Sequence, residues 1–153
     1  MPQLSLHSPV GDLTVSAEDD KIVAVDWGWG RDQTPTPLLR EAKKQLEDYF
    51  DGKLRKFDLP LAPTGSAFQK NVWKAMCKIP YGNTATYGDL AARLDSSARS
   101  VGTACGRNPL PILIPCHRVV AAGNRLGGYS GDGGGKTKLT LLRLEGSGIF
   151  PLP

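Results

Sequence analysis

A cysteine followed directly by a histidine, Cys116-His117, is the pair in this chain best suited to covalent chemistry. A thiol attacks as its thiolate, and an ordinary cysteine is only a few per cent ionised at neutral pH. An imidazole could withdraw the proton if a third group oriented it. Side chains at adjacent positions rarely face each other, so contact requires a tight turn or a bridging water. The same pair also suits a buried structural cysteine beside a surface histidine, and spacing alone leaves both readings open. Cys77 and Cys105 occupy helical positions and read as core or half-buried spectators. Three cysteines without a CxxC pair argue against a disulfide scaffold and for a reducing compartment. With only His7 and His117 besides, no usual structural zinc set can be assembled. The glycines between Gly127 and Gly135 suggest a phosphate cradle by composition. They lack the spacing of a P-loop or a dinucleotide fingerprint, which excludes nucleotide hydrolysis.

The elements that must position this pair can be read from periodicity. Gln3–Leu6, Leu13–Val15 and Ile22–Val25, separated by the turns Ser8-Pro9-Val10-Gly11 and Glu18-Asp19-Asp20, predict a small antiparallel meander ending at Trp27–Gly30. Pro35 to Phe50 repeats apolar residues at helical spacing, and Gly52 is a plausible stop. Lys53 to Gly65 reads as a linker or return strand. Ser66 can cap a helix with Phe68, Val72, Trp73, Met76 and Ile79 on one face, ended by Pro80. Thr86 and Asp89 have capping-box spacing, and Ser96 or Ser97 can cap a further helix from Ala98 to Gly106. Two short helices around Leu94-Asp95-Ser96 fit a helix-turn-helix or an ordinary helical hairpin. A last helix is expected over Lys136 to Leu144. The fold class expected is α+β: an N-terminal domain, residues 1–63, of a small antiparallel sheet with one helix, and a mostly helical C-terminal domain, residues 64–153, holding the helix-turn-helix.

Composition bounds the partners. The 153 residues, 40% hydrophobic, suit one globular domain or two small ones. No apolar stretch approaches the roughly 18 residues of a membrane span, and the N-terminus lacks a signal peptide's apolar region, so a soluble cytoplasmic chain is expected. The net charge of +4 is unevenly split. Before Pro63, eight cations face eleven anions, giving −3; after it, eleven cations face four anions, giving +7. That asymmetry points to a polyanion for the C-terminal part, although a solvated basic face gives the same arithmetic.

The run Ile112-Leu113-Ile114-Pro115-Cys116-His117-Arg118-Val119-Val120 closely resembles the active-site signature of the O6-alkylguanine-DNA alkyltransferases, also called methylated-DNA–protein-cysteine methyltransferases. The likeness extends to Phe68-Gln69, Val72-Trp73, Ile79-Pro80-Tyr81-Gly82, Thr86-Tyr87-Gly88, Arg99-Ser100-Val101-Gly102, Asn108-Pro109, Gly128-Tyr129-Ser130-Gly131 and Leu141-Leu142 with Glu145, in family order. It covers about residues 64–146. The resemblance implies that Cys116 accepts an alkyl group, with His117 acting through a water as its base and Glu145 holding the imidazole. It implies that Asn108 braces the active-site turn and that Tyr87 donates a proton or hydrogen bond to the guanine ring. Ser130 would offer hydrogen bonds to O6, the Cys116 and Val119 carbonyls would receive the exocyclic amine, and Tyr129 would wall the pocket. Arg99 would fill the stack left by the extruded nucleotide, with Ser100 beside it at the DNA surface.

Each implied role has a physical reason. Alkyl transfer to sulfur is an in-line displacement, and guanine leaves poorly unless donors meet its developing charge. The reacting atom lies inside the duplex, so the nucleotide must be flipped out. The resemblance implies minor-groove binding to double-stranded DNA containing O6-alkylguanine. It implies one reaction per molecule, no cofactor, no metal, and a monomer in the absence of DNA.

The chain departs from the family pattern in places. Asp95 stands where a glycine often ends the first helix, Ser100 where alanine is frequent, and Ala98 where some members have proline. These departures touch DNA docking, not the chemistry. Competing readings are a damage-binding relative, which would lack the acceptor cysteine, a sequence-specific regulator, and a cysteine hydrolase with repeated turnover.

Overall fold

The computed structural model describes residues 1–123, 125–129 and 134–147. The chain divides into two compact units, Met1–Thr64 and Gly65–Pro153. In the first, alternation of apolar and hydroxyl side chains builds strands β1 (Gln3–Leu6), β2 (Leu13–Glu18) and β3 (Lys21–Trp27). They pair antiparallel in that order, with Leu4 opposite Val15 and Val15 opposite Val25. Helix α1 (Pro37–Phe50) is capped by Thr36, two residues inside the expected start, because the Thr36 side chain accepts from the Leu39 amide. Its buried face of Leu39, Ala42, Leu46 and Tyr49 packs on β1 and β2. Gln45 on that face is satisfied by both backbone groups of Asp58, which fastens the return segment to the helix. That segment forms no full strand. It makes one parallel bridge, Ile22 to Leu61, with Ile22 N–H donating to Pro60 and Ala62 N–H donating to Ile22.

Alternation alone left the hydroxyl face of the sheet without a cover. Ser5, Thr14 and Ser16 are all buried. The backbone after β3 folds back over Ser5 and Thr14: the Gly30 amide reaches Ser5 Oγ and Thr14 Oγ1 at 3.0 and 2.9 Å, and Gln33 exchanges two hydrogen bonds with Ser5. A Cβ on Gly30 would lie 2.9 Å from the Thr14 methyl, so the approach depends on glycine.

The second unit is mostly helical, and its caps are those the sequence predicts. Helix α2 (Ala67–Cys77) opens with a reciprocal Ser66–Gln69 capping box. It closes two residues before the expected end, and Ile79 stays buried in the terminal turn. The two-residue strand β4 (Ala85–Thr86) leads into α3 (Tyr87–Arg93) through a Thr86–Asp89 box with both bonds at 3.0 Å. Ser97, not Ser96, caps α4 (Ala98–Gly106). Asp95 in the turn between them has φ +51°, a left-handed position that aspartate tolerates where glycine would be ordinary. Helices α3 and α4 pack against each other, and α2 packs on both. Strand β5 (Val119–Val120) pairs parallel with β4, and α5 runs over Gly135–Leu144. Among the described residues no helix is long and apolar enough to cross a membrane.

The Thr86 cap starts α3 at the residue expected to carry function. Thr86→Ala should lower the unfolding free energy by about 1 kcal/mol. A urea titration showing no shift in midpoint would mean that the cap does not hold this helix.

Candidate active site

Residues 110 to 120 are buried without interruption, yet the apolar run before Cys116 forms a turn and no strand. Ile112 has φ +74°, a left-handed position for a β-branched side chain that costs on the order of 1–3 kcal/mol and persists only where its surroundings over-determine it. Asn108 supplies part of that constraint. Its side-chain amide donates to the Ile114 carbonyl at 2.9 Å, and its oxygen accepts from the Leu110 amide at 2.9 Å. The turn leads into a single 3-10 turn over Cys116–Arg118 that delivers three successive side chains to different neighbours.

Cys116 is only 6% exposed. Burial pushes its thiol above the ordinary range, against the opposing effects of the Asn108 amide, the Lys138 charge and the Tyr129 hydroxyl. At rest the sulfur is therefore protonated. It opens onto a cavity of about 280 Å³ walled by Tyr87, Cys105, Gly128 and Tyr129. Cys105 shares this cavity, but burial pushes its thiol up to about 12, and it lies 3.4 Å from Met76 Sδ.

His117 and Glu145 are both fully buried at the side chain, with Nε2 to Oε2 at 2.7 Å. Burial pulls the imidazole below its ordinary value. The Glu145 bond and charge oppose that shift, while the Arg118 and Lys138 charges add to it. A neutral ring bonded to a carboxylate carries its proton on Nε2, leaving a lone pair on Nδ1. Nδ1 has no hydrogen-bond partner among the described residues, so no direct bond joins it to Cys116. The two neighbours in sequence do not face each other.

Tyr87 begins α3 one residue after β4, and the pairing of Thr86 with Val120 fixes it beside the 3-10 turn. Its hydroxyl lies 3.4 Å from the Gly128 carbonyl and 3.5 Å from Lys138 Nζ. A Cβ on Gly127 would sit 3.0 Å from the Tyr87 ring, so this loop closes on the tyrosine only with glycine there. Burial pushes Tyr87 up to about 12, which keeps it a proton donor at neutral pH. Lys138, buried on α5, donates to the Gly128 carbonyl at 2.9 Å; burial pulls it down to about 8.

The structure thus brings Cys116, His117, Glu145, Asn108, Tyr87 and Tyr129 together. Val119 is fully buried in β5 directly after the 3-10 turn. Arg99 and Ser100 stand apart, at the exposed start of α4, beside a second cavity of about 350 Å³ that Gln69 and Thr103 also line. The Ser100 hydroxyl, which the sequence places at the DNA surface, is tied back to the capping Ser97 Oγ at 2.9 Å. Ser130 lies outside the described residues. No group of three or more His, Cys, Asp or Glu side chains among the described residues is placed to hold a metal ion.

Two buried cations escaped the sequence reading. Arg118 donates Nε and Nη2 to the two Glu145 oxygens at 2.8 and 3.0 Å, and Nη1 to the Ile79 carbonyl at 2.7 Å. Lys138 was legible in principle: it lies three, four and seven residues before Leu141, Leu142 and Glu145, on the buried face of α5. A lysine at an apolar-face position was the available signal.

Comparison with known proteins fits this geometry. Residues 67–147 match the family model described as 6-O-methylguanine DNA methyltransferase, DNA binding domain, and residues 4–63 match its ribonuclease-like domain. A methylated-DNA–protein-cysteine methyltransferase of Methanosarcina acetivorans is 41% identical, over 92% of this chain and 96% of that protein. The constitutive enzyme of that name from Bacillus subtilis is 40% identical, over 91% and 92%. The crystal structure of Mycobacterium tuberculosis OGT in complex with DNA superposes with a TM-score of 0.86 at 37% identity, covering 96% of this chain and 94% of that one. With both domain models in order along the sequence and relatives aligned over nine-tenths of their length, the chain belongs to the 6-O-methylguanine DNA methyltransferase family.

Proposed function

We propose that this protein repairs DNA by moving the alkyl group of O6-alkylguanine onto Cys116, once per molecule. The observation that carries this reading is a buried thiol at the wall of a cavity, next to a neutral histidine whose far nitrogen is fixed on a buried carboxylate. His117 Nδ1 takes the thiol proton through a bridging water, because no direct bond links the two. The sulfur then forms a bond to the alkyl carbon as the carbon–O6 bond breaks, and that electron pair passes into the guanine. Tyr87 donates to the ring where the charge develops, with Lys138 at 3.5 Å holding positive charge against the phenol oxygen. Guanine leaves restored. The thioether has no easy route back to a thiol, so the protein needs no cofactor and does not turn over.

A guanine inside a duplex cannot reach Cys116, so the nucleotide is flipped out. Arg99, exposed on the first turn of α4, takes its place in the stack while α3 and α4 lie in the minor groove. Its placement at a helix start, where the macrodipole disfavours a cation, supports a functional reason for it. The charge available to phosphates is smaller than the sequence total suggests. Of the eleven cations after Pro63, Arg118 and Lys138 are buried and the other nine are exposed. Binding by a monomer, weakening with added salt, follows from this picture.

Mass spectrometry after mixing with a methylated-guanine oligonucleotide should find one methyl group on Cys116 and none on Cys77 or Cys105. Cys116→Ala should bind the DNA and take up nothing; an adduct elsewhere in the folded protein would reject the assignment. Arg99→Ala should lose about tenfold or more of the rate on duplex while keeping most of its reaction with free O6-alkylguanine. Equal losses on both substrates would remove the stacking role.

A further inference from the structure

Arg118 and the Ile79-Pro80-Tyr81-Gly82 turn have no part in the transfer chemistry above, yet they converge on Glu145. The Arg118 guanidinium grips both carboxylate oxygens and the Ile79 carbonyl, and its carbon lies 5.8 Å above the Tyr81 ring. The Tyr81 hydroxyl donates to the carbonyl of Leu144, the residue before Glu145, at 3.3 Å. Gly82, at φ +85°, passes so close that a Cβ there would sit 3.4 Å from the Glu145 carbonyl. The turn therefore holds the arginine on one side and the backbone that carries the glutamate on the other.

The consequence is electrostatic. Glu145 Oε2 accepts from both His117 Nε2 and Arg118 Nη2. A buried carboxylate facing only an imidazole would favour the imidazolium, since an unpaired charge in such a place is costly. A protonated His117 would carry a hydrogen on Nδ1 and could take nothing from Cys116. An arginine never gives up its proton, so its bidentate grip satisfies the carboxylate permanently and leaves the imidazole free to stay neutral. Lys138 from α5 also disfavours the imidazolium. Cys77 at the end of α2 feels the Arg118 charge.

We propose that Arg118, held by the Ile79–Gly82 turn, is the positioning residue that fixes and neutralises Glu145 and so keeps His117 a neutral base for Cys116. The kinetic consequence rests on the alkyl-transfer reading, but the state of the imidazole is a property of the protein alone.

The two histidines of the chain make nitrogen-15 NMR of the imidazoles a direct readout. In the wild type His117 should remain the neutral Nε2–H form through the neutral range. In Arg118→Gln the carboxylate loses the fixed positive charge of the guanidinium, which raises the histidine pKa, so the imidazolium should persist to higher pH. The acidic limb of the transfer rate should then move up by about one pH unit or more. On the acid side of that limb this is about a tenfold loss, which recovers on raising the pH. Arg118→Lys keeps the charge but not the fork and should give a smaller shift, which serves if the glutamine variant does not fold. In a Glu145→Gln background, Arg118→Lys should leave the His117 titration where it was. An unchanged His117 titration in the arginine variants, or a rate loss equal at every pH, would overturn the proposal. A wild type that transfers no alkyl group, with the titration shift still present, would sink the transfer reading and leave this one standing.

Discussion

The second unit is organised around one buried carboxylate. Glu145 has no exposed side-chain surface, and an ionised group taken out of water costs several kcal/mol unless donors replace its hydration. Nε and Nη2 of Arg118 and Nε2 of His117 are among the donors that do. These residues are adjacent in the chain, and both must reach the same carboxylate. That requirement restricts the 3-10 turn and turns the residue before them, Cys116, toward the cavity. The failure of the cysteine and histidine to face each other is thus a consequence of where the histidine is needed. Of the two arrangements the sequence leaves open, a direct bond through a tight turn is not formed, since His117 Nδ1 has no hydrogen-bond partner among the described residues.

Helix α5 ties the two halves of the chemistry together. Lys138 and Glu145 are seven residues apart, two turns along one face, or about 10 Å. The lysine end meets Tyr87 and the Gly128 carbonyl, where charge would build on a leaving base. The glutamate end meets His117, the base in the proposed transfer. Cys116 lies between them and feels Lys138 directly. The parallel pair β4–β5, only two residues long, carries the complementary constraint by holding Tyr87 against the same 3-10 turn. A short ladder suffices because the Thr86–Asp89 box fixes the following helix on its own.

What was legible in the sequence depended on the range of the physics involved. Caps at Ser66 and Thr86 are local hydrogen bonds between residues three apart, and the sequence displays them directly; it narrowed the cap of α4 to Ser96 or Ser97 and did not show Thr36. Helix α2 stops two residues before the expected end, where Pro80 disfavours the helical conformation of the residue before it, while Ile79 stays buried as its spacing predicts. The burial of the hydroxyl face of the first sheet was not legible, since period-two alternation cannot tell water from a loop that folds back. At the site, Cys116 and His117 stood out by type and adjacency. Arg118 did not, because its partner lies 27 residues away; Lys138 was marked only by its place on the apolar face of α5, and its partner ten residues away was not.

Thiol reactivity in solution follows exposure and thiolate fraction, and by either measure Cys116 is a poor nucleophile. Cys77 is the exposed thiol of the chain, and Cys105 shares the cavity. What separates Cys116 from both is its neighbours: a neutral base held by a buried carboxylate on one side, and a phenol kept protonated by burial on the other. Neither neighbour acidifies the resting thiol enough to overcome its burial. In the proposed transfer both would gain leverage only when a purine fills the cavity and its leaving oxygen develops charge that Tyr87 could meet. A thiol arranged in this way resists stray electrophiles that carry no base for the pocket, and it reacts where the donor for the leaving group and the acceptor for the proton are engaged together.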